Sequence, residues 1–133
     1  MARTVLLGKP DQKKVDTMKK TNEALQAGID LVKAGNTADD VAQAFWKVLD
    51  KYGIEKTSRT GYSIGIGYPP DWGERTASLR SGDNTVLEVG MCFHFQSGMW
   101  LKEFGAAISE SFVVTENGGE RFCSVNRELI ILD

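Results

Sequence analysis

From Arg59 to Glu74 the chain reads Arg-Thr-Gly-Tyr-Ser-Ile-Gly-Ile-Gly-Tyr-Pro-Pro-Asp-Trp-Gly-Glu, a run through which no helix or strand can pass unbroken. Gly61, Gly65 and Gly67 permit positive φ or a close approach of the backbone to a neighbour. Pro69 and Pro70 fix φ and remove two backbone donors, so regular structure stops there. Asp71, Trp72 and Glu74 follow and set carboxylates beside a large aromatic in a rigid loop. Loops of that kind, held on a scaffold, are where binding residues concentrate. A plain Gly/Pro turn between strands is the alternative reading.

The hydrophobic period differs on the two sides of this run. Upstream, Arg3 to Leu7 is a short strand candidate ended by Gly8-Lys9-Pro10, and Pro10 and Asp11 suit a helix start. Val15, Met18, Asn22, Leu25, Ile29 and Val32 then recur at three- and four-residue steps, one apolar stripe with a single polar break. Gly35 is the expected cap of this helix. Lys13, Lys14, Lys19 and Lys20 lie on its other faces and read as solvated charge rather than an anion site. Thr37 caps a second helix with Asp39 and Asp40 in its first turn, and Val41, Ala44, Phe45, Val48 and Leu49 form its stripe up to Gly53. Two such helices in succession form a layer suited to covering a sheet.

Downstream the period is two. In Leu87–Gly98, Met91, Phe93 and Phe95 alternate with Cys92, His94 and Gln96. The first set belongs against the helices, so the second shares the opposite face and brings it an imidazole and an amide. That face reads as a polar cavity or, equally, as one histidine bonded to structure. Met99–Phe104 is a hairpin or a connecting segment, and Ala106–Thr115 is a further strand with Ile108, Glu110, Phe112 and Val114 on one side. A single acid in an apolar row is paired, at a sheet edge, or functional. Asn117-Gly118-Gly119 makes a hairpin turn, and Glu120–Ser124 and Glu128–Leu132 complete the strands.

Composition narrows the function classes. A chain of 133 residues with 41% hydrophobic and 26% charged residues has the balance of one globular domain. A net charge of −2 argues against a nucleic-acid surface, and no apolar run reaches the length of a membrane span. The first ten residues lack a signal-peptide core, which makes the cytoplasm the expected location. Cys92 and Cys123 form no zinc motif or disulfide framework, and with His94 as the one histidine a His-rich metal site is excluded.

Three segments, in order, resemble the catalytic domain of the creatinase, prolidase and methionine-aminopeptidase superfamily. Gly61-Tyr62-Ser63-Ile64-Gly65 is similar to its Gly-His-Gly-Ile-Gly. Leu87 to Gln96 is similar to Leu-x-x-Gly-Met-Val-Phe-Thr-Ile-Glu, and Ile108 to Gly118 to Arg-Ile-Glu-Asp-x-x-x-Val-Thr-Glu-x-Gly. The resemblance implies an α+β class, a partial pita-bread fold in which a curved antiparallel sheet is covered by two helices. It implies one catalytic domain over residues 1–133, incomplete on its upstream side, with self-association to a homo-oligomer through open edges.

Metallopeptidases of this fold bind two metal ions through two Asp, one His and two Glu. Here Tyr62 stands at the His position and Gln96 at the first Glu, while Glu110 is taken as the matching second Glu; both Asp positions would precede Arg3. A phenol and a carboxamide are poor ligands for paired cations, so the expectation is no metal, with dinuclear manganese, cobalt or zinc as the alternative. The Gly-rich run looks closest to the ectoine-hydrolase branch, which opens a cyclic amidine. That resemblance implies hydrolysis of a C–N bond in a small molecule or dipeptide. Glu110, Gln96 and Tyr62 are the expected catalytic groups, and His94, Asp71 and Trp72 the expected substrate-binding ones. A dinuclear Xaa-Pro peptidase and a non-catalytic binding module of the same fold are the alternatives.

Overall fold

In the computed structural model, residues 1–67 and 73–133 are described. A short strand β1 (Val5–Leu7) leads into helices α1 (Gln12–Asp30) and α2 (Ala38–Lys51). Strands β2 (Gly61–Ile64), β3 (Gly73–Leu79), β4 (Cys92–Gln96), β7 (Ser109–Val114) and β8 (Gly119–Arg121) form an antiparallel sheet in the order β3-β2-β4-β7-β8. Between β4 and β7 lies a small hairpin of β5 (Met99–Trp100) and β6 (Gly105–Ala106), and β9 (Ile130–Leu132) returns to pair in parallel with β1.

The helix starts follow local chemistry. Asp11 caps α1, its carboxylate accepting from Lys13 N at 3.0 Å. Thr37 Oγ1 accepts from Asp40 N at 3.1 Å while Asp40 Oδ2 accepts from Thr37 N at 2.8 Å, a reciprocal capping box for α2. The end of α1 departs from expectation. The helix stops at Asp30, and Asn36 Nδ2 donates to the Leu31 carbonyl at 2.7 Å, so an amide side chain satisfies the helix end. Gly35, at φ +93°, instead turns the chain toward Thr37.

The strands also differ in two places. The run Ala106–Thr115 is two strands, because Thr4 Oγ1 both donates to Ala107 O and accepts from Ala107 N, each at 3.0 Å, and takes that residue out of the ladder. The C-terminal strand does not extend the main sheet and pairs with β1 instead.

The core fills the space between the helix pair and one face of the sheet. Met18, Leu25 and Ile29 of α1 and Val41, Phe45 and Leu49 of α2 are buried with Phe93, Phe95, Phe112 and Val114. Phe95 lies 5.5 Å from Phe45, ring to ring, and a Cβ on Gly28 would fall 2.4 Å from Phe95 Cε1. Gly28 therefore sets how closely α1 approaches β4. Gly28→Ala tests this by its sign. Helix propensity alone gives a gain of up to about 1 kcal/mol, whereas overpacking a closed core costs about 1–3 kcal/mol. Urea unfolding is expected to show a net loss, and a higher midpoint would show that the approach is loose.

Candidate functional site

Because Phe93 and Phe95 point at the helices, Cys92, His94 and Gln96 point the other way, as the alternation of a strand requires. The register then gathers a polar group on that face. Tyr62 of β2 and Ser111 of β7 flank His94, and Ser109 of β7 is opposite Gln96. The Tyr62 and His94 rings are 5.5 Å apart and tilted by 48°, and His94 Nδ1 is 2.9 Å from Ser111 Oγ. The Arg59 guanidinium lies 4.8 Å over the Tyr62 ring. A cleft of about 510 Å³ runs along Tyr62, His94, Gln96 and Ser111 to the glycines that follow β2. There Glu74 Oε1 accepts from Gly67 N at 2.6 Å, and a Cβ on Gly65 would meet the same carboxylate oxygen at 3.0 Å.

The face is electrostatically unlike a carboxylate-rich centre. No Asp or Glu lines the cleft among the described residues. Burial pushes the His94 imidazolium pKa down to about 4, with the Met1 α-ammonium adding to the effect, so the ring is neutral at pH 7. A neutral imidazole that uses Nδ1 on Ser111 keeps Nε2 for a ligand.

Of the residues expected from sequence, the structure brings Tyr62, His94 and Gln96 together. Asp71 and Trp72 lie outside the described residues. Glu110 does not join the group. It pairs with Phe95 across the β4–β7 ladder and therefore points to the helix side, where it is fully buried. Its Oε1 accepts from Arg3 Nη2 at 2.5 Å and lies 3.4 Å from Arg121 Nη1 and 3.8 Å from Arg127 Nε. Arg3 uses its remaining donors on the carbonyls of Ala2, Ser109, Val125 and Asn126, and so ties the N-terminal segment, β7 and the C-terminal tail together. The residue of β7 that shares the face with Gln96 is Ser109, which is buried and accepts from Ala2 N at 2.6 Å.

Sequence reasoning missed Ser109 although the signal was present. Counting back from Val114-Thr115-Glu116 in the motif places its Glu over Ser109 and its Asp over Glu110. Ser111 was missed because no motif marks it and only the register sets it beside His94; Arg59 opens the Gly-rich run, but only the fold sets its guanidinium over Tyr62. The donors on this face are thus a phenol, a carboxamide, hydroxyls and one imidazole. Among the described residues no group of three or more His, Cys, Asp or Glu is placed to hold a metal ion. Neutral donors of this kind do not fit a dinuclear centre, which needs anionic ligands to offset its cations.

Comparison with known proteins gives consistent matches. The family described as metallopeptidase family M24 matches residues 1–116. Ectoine hydrolase from Halomonas elongata is 45% identical over 132 residues, covering 98% of this chain and 33% of that protein. A Xaa-Pro dipeptidase from Lactobacillus helveticus is 32% identical over 137 residues, covering 98% of this chain and 35% of that one. Among solved structures, dipeptidase PepE from Mycobacterium ulcerans superposes with a TM-score of 0.89 at 29% identity, over 98% of this chain and 34% of that chain. The chain spans about a third of the length of each. The helix pair over an antiparallel sheet is the pita-bread architecture of these relatives.

Two outcomes test the two faces. His94 is the one histidine, so its ring resonances are unambiguous, and they are expected to stay at their neutral positions from pH 7.5 down to about 5. Since its folded pKa is below the unfolded value, stability from this residue is complete above about pH 6.5 and is lost as pH falls toward 4. A midpoint near 6.5 in the NMR titration would show an open, solvated ring. On the other face, Glu110→Gln leaves the largely buried guanidiniums of Arg3 and Arg127, with the exposed Arg121 beside them, facing one another without a counter-charge, and is expected to cost about 3–5 kcal/mol in urea unfolding. Unchanged stability there would remove its structural role.

Proposed function

The chain belongs to metallopeptidase family M24, and from that premise we propose that it forms one wall of a hydrolase site for C–N bonds in a small molecule, working without a metal ion. The observation that carries the reading is the row Tyr62–His94–Ser111 beside Gln96, four polar groups on the face that the helices leave uncovered. The 45% identity to an ectoine hydrolase favours a cyclic amidine as substrate.

In this mechanism Tyr62 donates a proton to the leaving nitrogen, where a positioned phenol is worth about 10²–10⁴-fold. Neutral His94 orients the substrate through Nε2, its ring held by Ser111. The Gln96 carboxamide donates to or accepts from the polar atoms beside the scissile bond. Asp71 and Trp72 are the right chemical types to pair with and stack on an amidinium. Glu110 acts through Arg3 as a positioning residue for β7 and Ser109. The attacking water and its base are assigned to no residue of this chain.

A second reading, a dinuclear Xaa-Pro dipeptidase, is favoured by the 32% identity to such an enzyme. Kinetics on the intact protein separate the two. We expect hydrolysis of ectoine after exhaustive chelation, with Tyr62→Phe lowering kcat about 100-fold at unchanged stability. Stoichiometric manganese, cobalt or zinc, with Xaa-Pro turnover lost on chelation, would overturn the metal-free reading. Tight binding of ectoine with no turnover would make the chain a binding module.

A further inference from the structure

A second, smaller cavity of about 210 Å³ adjoins the cleft and shares Tyr62 and Gln96 with it. Its other walls include Lys56, Arg59 and Trp100, and no Asp or Glu lines it among the described residues. We propose that this cavity receives a carboxylate of the substrate whose C–N bond lies in the neighbouring cleft, with Lys56 and Arg59 as its recognition residues. The proposal rests on the hydrolase reading of that cleft and adds to it a required anionic group.

The Lys56 ammonium is fixed before any ligand arrives. Nζ donates to Ser58 Oγ at 2.7 Å and to the Gly98 carbonyl at 3.0 Å, which leaves one of its three hydrogens for a ligand. Neither bond supplies negative charge, and burial lowers the Lys56 pKa. An arriving carboxylate would offset that desolvation. Arg59 is held over the Tyr62 ring and bonds Ser78 Oγ through Nη1 at 3.3 Å. The rest of its fork has no protein acceptor among the described residues, and Lys56 and Arg59 make no ion pair there. A guanidinium fork and an ammonium together suit the two oxygens of a carboxylate.

The wall opposite is built to be flat. Trp100 is 72% exposed, and a Cβ on Gly98 or Gly105 would lie 3.2 Å or 2.8 Å from its indole, so both glycines make room for the ring. An exposed indole beside two cations gives the non-reacting part of a small ring an apolar surface while its carboxylate is paired. Tyr62 and Gln96 stand at the junction of the two cavities, which places the bond to be broken next to the proposed proton donor.

Calorimetry on the intact protein tests this with two probes, ectoine and its neutral carboxamide analogue, while NMR follows the His94 ring. Ectoine is expected to bind at least about ten-fold more tightly than the carboxamide. Lys56→Met and Arg59→Gln should each lower ectoine affinity more than carboxamide affinity and so collapse that preference, Arg59→Lys should restore part of it, and Lys102→Met, on the exposed hairpin, should have no effect. Circular dichroism confirms folding; if a variant fails to fold, the comparison of the two probes on the unaltered protein still decides. Equal affinity for the two probes, or a preference that survives both variants, would overturn the carboxylate site and leave the hydrolase reading standing. A carboxylate preference with the His94 resonances unmoved would keep the anion site and remove the hydrolase reading of the cleft. Binding of neither probe would overturn both.

Discussion

The packing of Phe95 between the two helices fixes the orientation of everything chemical in this molecule. Its ring is fully buried, tilted on Phe45, and meets α1 where Gly28 has no side chain. A strand slipped by one residue would exchange its faces, sending His94 and Gln96 into the core and two phenylalanines into the cleft. That exchange would forfeit about 1.5–3 kcal/mol per buried aromatic and strand an imidazole among aliphatic groups. Through the ladder, the same constraint passes to β2 and β7 and decides that Tyr62, Ser109 and Ser111 face the cleft while Glu110 does not.

The two faces solve different electrostatic problems. On the helix side a fully buried carboxylate is surrounded by Arg3, Arg121 and Arg127. Arg3 lies 107 residues from Glu110 in the chain, so the pair closes a very long loop and holds both chain ends against β7. A pair of this kind adds little net stability compared with an apolar substitute, but either partner alone is expensive to bury. It joins the segment around Arg3 to β7 and to the carbonyls of Val125 and Asn126, and through the Ser109 carbonyl and Ala2 it borders the cleft. On the cleft side the neutral imidazole, phenol and amide keep most donors and acceptors unspent, with Lys56 and Arg59 at the rim.

Much of this architecture is legible in the sequence. The Thr37 cap, both helical stripes and the period of two around Phe93 and Phe95 depend on residues close together in the chain, and local rules read them correctly. Tyr62 and Gln96 were recognisable by motif, and the strand alternation put His94 and Gln96 on one face in advance. Glu110 shows where such reading stops. A carboxylate in an apolar row was rightly taken as unusual, but its partners come from both ends of the chain, and no periodicity reveals a contact over that distance. The Gly35 cap failed for a related reason: Asn36 provides an equally good acceptor-satisfying side chain, and which of two local solutions is used depends on how Thr37 must enter α2.

The charge balance of the cleft also bears on how a site on this fold can change chemistry. Two metal ions bring a large positive charge that anionic side chains must offset, and among the described residues this face offers a phenol, an amide and hydroxyls, which carry no such charge. Lys56 and Arg59 lie at the rim of the cleft, fixed on protein atoms. Fixed cations attract an anion carried by the ligand, whereas bound metals polarise the bond being broken.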